Sequence, residues 1–516
     1  MRMFLFNSNI FLLLFVLIYQ ASADSLENTR PNIIFVLSDD MGWNEPAFNG
    51  GNPEWTPNLD RLRNQGTSLE QFYVHAVCAP TRAAFLTGRY AFRTWSDWRS
   101  EDYGKPSYLA KLGLQVAQND KGEETRMVVG LDTEERTIAE ALKEAGYFTA
   151  LAGKWHCGEW LPEHLPMGQG FDHQYGHYGW GIDYHGHFIL HNAPARYAVY
   201  DWHRNQKPVR EHGYSTDLIA TEVVRLIAEH KERKRDIPFF HYVSFNAIHG
   251  PLDQIPRYTD RYEKRFAALK CMDDALGNIL GALDQYGFAE NTLVIFCNDN
   301  GGLRQEHSDP YRGTKNTNYE GGVRVPCLLR WPGKIEPGSS NDGLMHITDF
   351  FSTFVHLAGA SVNQERKPDG LNQCDMLFKG GKSPRQEIIF EVSGSVRPPA
   401  IRVNNYKLVG DELYDLIKDP YEKIDLALKL PKMVERLKKR VQEVSKERPP
   451  MPDLSILMDP PLPWVYGKTE DANTPFWLKE YMKEVRSKQP HHWEPGTTPW
   501  PQAPKDGKIL YTGDGR

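Results

Sequence analysis

Cysteine is scarce in this chain, and its spacing excludes a disulfide-rich architecture. Only six of the 516 residues are cysteines, and no two of them form a C-x-x-C pair. A small secreted domain held together by a dense disulfide framework is therefore excluded. One or two disulfide bonds remain compatible with the spacing, which does not identify partners. The cysteines are Cys78, Cys157, Cys271, Cys297, Cys327 and Cys374.

An excess of charge of one sign is also absent. The chain carries 61 basic and 67 acidic residues, which is close to neutral for its length. Long-range attraction toward strongly charged partners is correspondingly weak. We therefore expect neither nucleic acid nor an anionic membrane surface as a partner.

Long apolar runs are absent after the N-terminus. The chain begins with Met1 and the basic residue Arg2, followed by the apolar run Ile10–Ile18 and the A-x-A pattern ending at Ala23. This order predicts a secretory signal peptide over residues 1–23. An uncleaved anchor is the alternative, although the run is short for a membrane span. We expect export to a secreted, periplasmic or lysosome-like compartment, with no membrane association after cleavage.

What the chain does contain is a series of apolar strands that alternate with helices. The strand patterns are short, apolar and rich in β-branched residues, as in strands buried on both faces. The alternation predicts an α/β domain with a mostly parallel sheet between helices. The strand patterns are NIIFVL, FTALAGKW, PFFHYVSF and TLVIFC, and the helix patterns are TIAEALKEAGY and CMDDALGNILGALDQYG.

The character of the chain changes after about residue 380. The segment PAIRVNNYKLVG alternates like one half-buried strand, and KLPKMVERLKKRVQEVSKE has the pattern of a charged helix. We therefore expect the main domain over 24–380 and a smaller α+β domain over 381–448. From Pro449 the chain is rich in proline and tryptophan, which predicts an extended tail over 449–516 that packs on the body.

Polar residues follow each of the four predicted strands. The carboxyl ends of parallel strands open onto one crevice, where ligands bind. Lys154 and His156 follow the second strand, and His249 follows the third. Oxygen donors without accompanying cysteine or multiple histidines follow the first and fourth strands, which favours calcium, or less favourably magnesium, over zinc. These donors are Asp39, Asp40, Asp299 and Asn300.

One cysteine lies at the predicted start of a helix. In VHAVCAPTRAAFLTGRY, Pro80 suits the first helical turn and Gly88 suits the end of the helix. The free N–H groups of a helix N-terminus favour an anion. Cys78 is therefore either a small packed side chain or a reacting group such as a thiolate of lowered pKa. A metal site built from carboxylates has no part in a papain-like mechanism, so thiolate chemistry accounts poorly for the whole arrangement.

These residues resemble the sulfatase family of the alkaline-phosphatase superfamily, nearest its arylsulfatase B-like branch. The family signature C-x-P-[ST]-R followed by L-T-G is satisfied by CAPTRAAFLTG, and further motifs keep the family's order over residues 31–428. The resemblance implies an alkaline-phosphatase-like sheet between helices with a smaller C-terminal domain. The further motifs are PNIIFVLSDDMGW, TPNLDRL, GKWHCG, HGP, NDNGG, RGTKNTNYEGGVRVP and ELYDLIKDPYEKIDLA.

The resemblance also implies two cofactors. Cys78 would be oxidised by a maturation enzyme to formylglycine (3-oxoalanine), whose hydrate attacks sulfur and is stabilised by Arg82. One calcium ion would be held by the four oxygen donors named above, with the modified Cys78 as a further ligand. The odd cysteine would then be a precursor rather than a thiol nucleophile.

Four further residues acquire roles from the same resemblance. Lys154 and Lys315 would neutralise the sulfate, and His249, with Lys315, would protonate the departing alcohol. His156 would take a proton from the second hydroxyl of the hydrate. Lys154, His249 and Lys315 are also the expected substrate-binding residues. Cys157 stands where family members commonly carry an aliphatic residue, and we interpret it as a packed small side chain.

The predicted function is hydrolysis of sulfate esters, of sulfated carbohydrates or aryl sulfates. Two alternatives are a phosphoryl or phosphonate ester hydrolase and a non-catalytic carbohydrate-binding protein. A singly charged sulfate needs fewer cations than a phosphate monoester, and no second metal-type cluster is evident in the sequence, which favours sulfate. The aromatic segment Phe171–Asn205 suits a sugar ring or, equally, a long structural loop with packed aromatic rings.

Overall fold

A computed structural model describes most of the chain. The predicted signal peptide over 1–23 and most of the predicted tail after residue 449 lie outside the described residues. The described residues are 26–94, 116–118, 124–127, 130–158, 162–189, 199–233, 236–253, 255, 257–258, 260–361, 364–392, 397–449, 455–457, 467–468 and 476.

The strands are numbered in chain order. They are β1 (Asn32–Ser38), β2 (Thr67–Leu69), β3 (Phe72–Tyr73), β4 (Val116–Gln118), β5 (Glu124–Met127), β6 (Phe148–Lys154), β7 (His173–His177), β8 (Phe188–Ile189), β9 (Val199–Tyr200), β10 (His203–Arg204), β11 (Lys207–Pro208), β12 (Phe239–Ser244), β13 (Thr292–Asn298), β14 (Cys327–Arg330), β15 (Ser339–Asn341), β16 (Met345–His346), β17 (Glu387–Glu391), β18 (Ala400–Val403), β19 (Tyr406–Val409), β20 (Glu412–Asp415), β21 (Ser455–Leu457) and β22 (Gly467–Lys468).

The α-helices are numbered in the same way. They are α1 (Pro57–Asn64), α2 (Cys78–Thr87), α3 (Ile138–Glu144), α4 (Ser215–Glu232), α5 (Lys264–Tyr286), α6 (Gln305–Ser308), α7 (Glu320–Val323), α8 (Asp349–Ala358), α9 (Cys374–Lys379) and α10 (Pro431–Ser445).

A ten-stranded sheet runs through the main domain in the order β11-β10-β7-β6-β12-β1-β13-β14-β2-β15. Its five central strands, from β7 to β13, are mutually parallel, and antiparallel pairs flank them at β7–β10 and β13–β14. The four strands predicted from apolar runs are β1, β6, β12 and β13, and they are neighbours at the centre. The predicted mostly parallel sheet is therefore confirmed.

Helices flank this sheet in two groups, which explains why the central strands are apolar throughout. Helices α2, α3 and α8 pack on one another, and α1 and α4 each pack on α5. Every residue of β1 is buried, and Phe35 stacks on Phe85 of α2 with ring centroids 3.9 Å apart. Burial of each such apolar side chain contributes about 1.5–3 kcal/mol.

The C-terminal part of the chain forms a second, smaller sheet. Strands β17, β18, β19 and β20 are consecutive and antiparallel, and α10 packs against β18 and β19. The predicted charged helix is thus present. The predicted single strand in PAIRVNNYKLVG is wrong, because the segment is a hairpin of β18 and β19. Asn404 adopts a left-handed conformation (φ 50°) that lets the chain reverse between them.

Two short strands connect the tail to the main domain. Strand β21 pairs with β5, and β22 pairs with β9. Within the described parts of the chain, no helix combines the length and the apolar character needed to cross a membrane.

Candidate active site

The carboxyl ends of the central strands bring the predicted polar residues to one edge of the sheet. Strand β1 pairs in register with both neighbours, so that Leu37 faces Ser244 of β12 and Cys297 of β13. Strand β6 continues the row, with Gly153 opposite Ser244. The residues that follow these positions therefore emerge at one level, as a parallel sheet requires.

Helix α2 brings the signature segment to the same edge. It begins at Cys78 itself, with Val77 as its extended N-cap, and ends at Gly88 in the left-handed conformation (φ 67°). The predicted helix is confirmed, with its start at the cysteine rather than just after it. Burial raises the pKa of the Cys78 thiol, an effect that Lys154 and Lys315 only partly offset. The structure thus argues against a low-pKa thiolate at Cys78.

Asp39 lies at the centre of a buried network of charges. Its Oδ2 is 2.5 Å from the Lys154 ammonium and 3.3 Å from Arg82 Nη2. Arg82 Nη2 also donates to Asp299 Oδ2 over 2.7 Å. Burial alone would raise the pKa of Asp39, but the neighbouring cations, Lys154 above all, hold it well below its ordinary value. Burial and the negative charge of Asp39 raise the pKa of Asp299 to about 7.

Asp40 connects this network to the loop that follows α6. It lies in the left-handed region (φ 64°), and its Oδ1 accepts hydrogen bonds from Lys315 Nζ at 2.5 Å and Asn300 Nδ2 at 2.8 Å. Arg265 Nη2 donates to the Asp40 carbonyl oxygen over 2.8 Å. Hydrogen bonds to its side chain and to its backbone carbonyl thus hold Asp40 in this strained conformation.

Two buried oxygens in this cluster fit a cation. Among the described residues, neither Asp39 Oδ1 nor Asn300 Oδ1 has a hydrogen-bond partner. One possible ligand atom each of Asp39, Asp299 and Cys78 lies within 4.8 Å of the others. An unpaired buried oxygen costs about 1–3 kcal/mol unless something compensates it. Hard oxygen donors of this kind suit calcium or magnesium rather than zinc.

The two histidines approach the cluster from different strands. His249 Nδ1 donates to the Gly250 carbonyl oxygen over 2.5 Å, which leaves Nε2 directed at Asp40 Oδ2, 3.9 Å away. His156 follows β6 in a left-handed conformation (φ 55°), and its backbone N–H donates to the Tyr178 carbonyl oxygen over 3.0 Å.

Burial lowers the pKa of both histidines. The pKa of His249 falls to about 4 although Asp39 and Asp40 favour its charged form. The pKa of His156 falls well below its ordinary value, because the positive charge of Lys154 adds to the effect of burial. Both rings are therefore neutral at neutral pH in the ligand-free site.

Several residues of the site are supported by side chains that the sequence analysis did not identify. Arg82 Nη1 donates to Ser244 Oγ over 2.5 Å, and Ser244 Oγ donates to the Lys154 carbonyl oxygen over 2.6 Å. The Tyr184 hydroxyl lies 2.8 Å from the carbonyl oxygen of His249. Ser244 ends β12 and could have been included, and Tyr184 lies in the aromatic segment named above, whereas Arg265 carries no local signal.

The aromatic segment over 171–205 is mainly structural where it is described. Tyr175, Tyr178, Tyr184 and Trp202 are at most 2% exposed. Trp180 differs from these four residues in its exposure. It is only partly buried and makes an edge contact with the His249 ring at 5.6 Å. Cys157 is buried, in agreement with a packed side chain.

Comparison with known proteins shows which family this chain matches. Residues 31–360 match the family described as Sulfatase, and residues 313–447 match the family described as N-sulphoglucosamine sulphohydrolase, C-terminal. Arylsulfatase J of Mus musculus is 28% identical over 494 residues, which cover 83% of this chain and 78% of the relative. The N-acetylgalactosamine-6-sulfatase of Mus musculus is 31% identical over 395 residues, which cover 73% and 71%.

A solved structure supports the same assignment. The crystal structure of Ps i-CgsB in complex with k-i-k-neocarrahexaose aligns with a TM-score of 0.68 at 27% identity, covering 81% of this chain and 94% of that one. The predicted alkaline-phosphatase-like sheet with a smaller C-terminal domain is therefore confirmed. The Sulfatase match alone covers more than half of the chain, from the first central strand through α8. This chain belongs to the sulfatase family and is a sulfuric ester hydrolase.

Proposed function

We propose that the enzyme hydrolyses the sulfate esters of carbohydrates through a formylglycine made from Cys78, with one calcium ion in the site. The observation that carries this proposal is the position of Cys78. It begins α2, and its sulfur lies within 4.8 Å of carboxylate oxygens of Asp39 and Asp299. A thiol that burial keeps protonated is a poor nucleophile there, whereas an oxidised derivative would place oxygen beside hard oxygen ligands.

The calcium ion would be held by Asp39, Asp40, Asp299 and Asn300, with the modified Cys78 as a further ligand. Asp39 Oδ1 and Asn300 Oδ1 have no hydrogen-bond partner among the described residues, which supports this assignment. A bound divalent ion would supply positive charge that offsets the negative charge of the ester. Lys154 pairs with Asp39 and Lys315 pairs with Asp40, so both ammonium groups lie beside carboxylates that would hold the ion.

The modification of Cys78 would supply a hydrated aldehyde, one hydroxyl of which serves as the nucleophile toward sulfur. Arg82 is fully buried and directs its guanidinium at Asp39 and Asp299, beside Cys78. It therefore stabilises negative charge at the helix N-terminus. Lys154 and Lys315 neutralise charge that builds on the sulfate oxygens.

Two proton transfers fall to the histidines. His249 keeps Nε2 free toward the site, and 14% of its side chain is exposed, so it can reach a leaving-group oxygen. Lys315, with 11% of its side chain exposed, is a second donor on the same side. His156 has a buried Nδ1 without a partner among the described residues, and we assign it the proton of the second hydroxyl, whose removal would expel sulfate and restore the aldehyde.

A sulfated carbohydrate is the substrate class that we propose. Trp180 lies beside His249 and can pack on a pyranose ring, as aromatic side chains do. Ps i-CgsB was crystallised with a neocarrahexaose, and one relative is named for N-acetylgalactosamine-6-sulfate chemistry, which supports the same class here. The proposal also includes export under the predicted signal peptide and oxidation of Cys78 by a maturation enzyme. It keeps the division into domains over 24–380 and 381–448.

The test combines mass spectrometry with matched substrates. The peptide that contains Cys78 is expected to carry the aldehyde in protein produced with a formylglycine-generating enzyme, and the thiol without it. Only the aldehyde form is expected to release sulfate from sulfated oligosaccharides and aryl sulfates. Equal activity of the thiol form would contradict the proposal. Faster turnover of aryl phosphate or phosphonate esters would favour the alternative chemistry of the same superfamily.

A further inference from the structure

Lys315 lies on a loop that has little regular structure of its own. We define the Lys315 loop as residues 311–319, between α6 and α7. Two backbone hydrogen bonds fix its tip: Lys315 N–H donates to the Gly302 carbonyl oxygen over 2.9 Å, and Asn316 N–H donates to that of Ala76 over 2.8 Å. The Lys315 ammonium reaches Asp40 from this tip. Its position therefore depends on what holds the two ends of the loop.

The smaller C-terminal domain holds the first end through Arg312. Arg312 Nη1 donates to the Tyr414 hydroxyl over 2.6 Å and to the Glu422 carbonyl oxygen over 3.2 Å. The same guanidinium lies 3.9 Å from the ring centroid of Tyr319, at the other end of the loop. Tyr319 in turn donates to Glu412 Oε2 over 2.6 Å. One arginine thus joins both ends of the loop to β20.

A buried ion cluster holds the second end. Glu320, which begins α7, pairs with Lys407 Nζ at 2.8 Å, and its backbone N–H donates to Glu422 Oε2 over 2.6 Å. Lys407 also pairs with Glu422 at 3.0 Å, and the Lys407 side chain is fully buried. Buried ion pairs contribute little net stability, because desolvation offsets their attraction. Their directional contacts still define how the two domains dock at this point.

We propose that the C-terminal domain positions Lys315 for catalysis, with Arg312, Tyr414 and Lys407 as positioning residues. These residues act through the Lys315 loop and do not touch the ester themselves. The proposal rests on the role assigned to Lys315 in the proposed function. It explains why a charged cluster is buried between the domains beside this loop, where apolar residues would dock the domains at a smaller desolvation cost.

A double-mutant cycle tests this coupling. Arg312→Ala is the main variant, because 40% of the Arg312 side chain is exposed and its loss leaves no buried charge. Arg440→Ala is the matched control. Arg440 lies on α10, 43% of its side chain is exposed, and it pairs with Glu387 of β17, at another strand of the C-terminal sheet. Both are made in the wild type and in Lys315→Ala, with the melting temperature followed for every protein. Tyr414→Phe removes a single hydroxyl and serves as the mildest variant.

We expect Arg312→Ala to lower kcat/KM about tenfold in the wild type, as small displacements of a catalytic group do. In Lys315→Ala the same substitution is expected to cost less than about twofold, because the group it positions is gone. Arg440→Ala is expected to change neither background. The affinity for inorganic sulfate, measured by calorimetry, is expected to follow the same pattern and does not require turnover.

The outcomes separate the two proposals. An equal loss in both backgrounds, or no loss in the wild type, overturns the positioning role of Arg312. Full activity of Lys315→Ala removes the role of Lys315 and with it this inference, while the dependence of activity on Cys78 still tests the formylglycine proposal by itself. A loss in Arg440→Ala as large as that in Arg312→Ala identifies a general effect of destabilising the C-terminal domain.

Discussion

At the scale of single residues, the site combines charges that would not be stable apart. Asp39 contacts Lys154 and Arg82, and none of these three side chains is exposed to solvent. Removing one partner of such a cluster leaves an uncompensated buried charge, which costs about 3–5 kcal/mol. Substitutions that remove chemistry without removing one of these three charges are therefore easier to interpret. Cys78 and His249 meet this condition.

Cys78→Ala is expected to abolish sulfate release while leaving the fold intact. The side chain is small, and its loss removes the proposed nucleophile but no ion pair. Activity is expected below about 1% of wild type, a loss typical for a nucleophile. Steady-state assays and a melting curve check this. Cys157→Ala is the control: it removes a neighbouring buried thiol and is expected to retain activity. Comparable activity in Cys78→Ala would contradict a covalent role.

His249→Ala is expected to affect sugar sulfates far more than nitrophenyl sulfates. A sugar alkoxide needs a proton as its S–O bond breaks, whereas a nitrophenolate leaves without one, and general acid catalysis contributes about 10²–10⁴-fold. The ratio of kcat/KM for the two substrate classes measures the effect. His156→Ala is the comparison: it is expected to leave the ratio of kcat/KM unchanged and to lower kcat for both classes, because its proton transfer follows the departure of the alcohol. An equal loss for both classes in His249→Ala would mean that it is not the acid.

At the scale of elements, α2 determines where the reacting group lies. The helix begins at Cys78 and stops at Gly88, and both ends are set by local chemistry. Every residue of α2 is buried, and Phe85 packs on Phe35 of β1. The helix therefore cannot shift along its axis without disturbing the core. Its C-terminal stop is as important to the position of Cys78 as its N-terminal turn.

Gly88→Ala is expected to destabilise the protein by about 2–4 kcal/mol. The residue has φ 67°, a conformation that costs a non-glycine residue about 1–2 kcal/mol, and an added Cβ would lie 2.7 Å from Cβ of Phe351. Urea denaturation measures the loss in the free energy of unfolding. Gly333→Ala is the matched control, with φ 72° and no atom of the described residues within 4 Å of the added Cβ. Similar losses in both variants would show that the contact with Phe351 is unimportant.

At the scale of the whole molecule, the site is assembled from strands and loops that are far apart in the chain. Asp39 follows β1, Asp299 follows β13, and Lys315 comes from a loop attached to the C-terminal domain. Burial and the negative charge of Asp39 raise the pKa of Asp299 to about 7, a sign that the carboxylates repel one another. A cation bound here would offset this repulsion and so stabilise the folded protein. It would also offset negative charge during the reaction.

Removal of calcium by a strong chelator is expected to lower activity and melting temperature together. An ion that binds only the folded state stabilises it by about 2.7 kcal/mol at a hundredfold excess over Kd. Assays and calorimetry before and after chelation, followed by addition of Ca²⁺, Mg²⁺ or Zn²⁺, measure both effects. Calcium is expected to restore both. Unchanged activity in rigorously metal-free protein would rule out the metal assignment, and restoration by zinc alone would identify a different ion.

The sequence alone determined the central sheet and the polar edge that carries the site. Buried parallel strands are apolar along their whole length, so β1, β6, β12 and β13 stand out locally, and the residues after them must meet at one edge. Helix α2 was predictable for a similar reason, since Pro80 and Gly88 act within their own turns. Local chemistry is sufficient wherever a feature depends on neighbours in the chain.

Only the tertiary structure decided which partners hold these residues. Arg265 supports Asp40, and Tyr184 supports His249, across separations that no periodicity encodes. The hairpin at Asn404 was missed although Asn404 and Asn405 are turn-forming residues, and the apolar positions shift there from 401 and 403 to 406 and 408. Most rings of the aromatic segment proved to be packed rather than exposed. Burial is a property of the assembled molecule, since the same side chain packs or faces solvent according to what lies across from it.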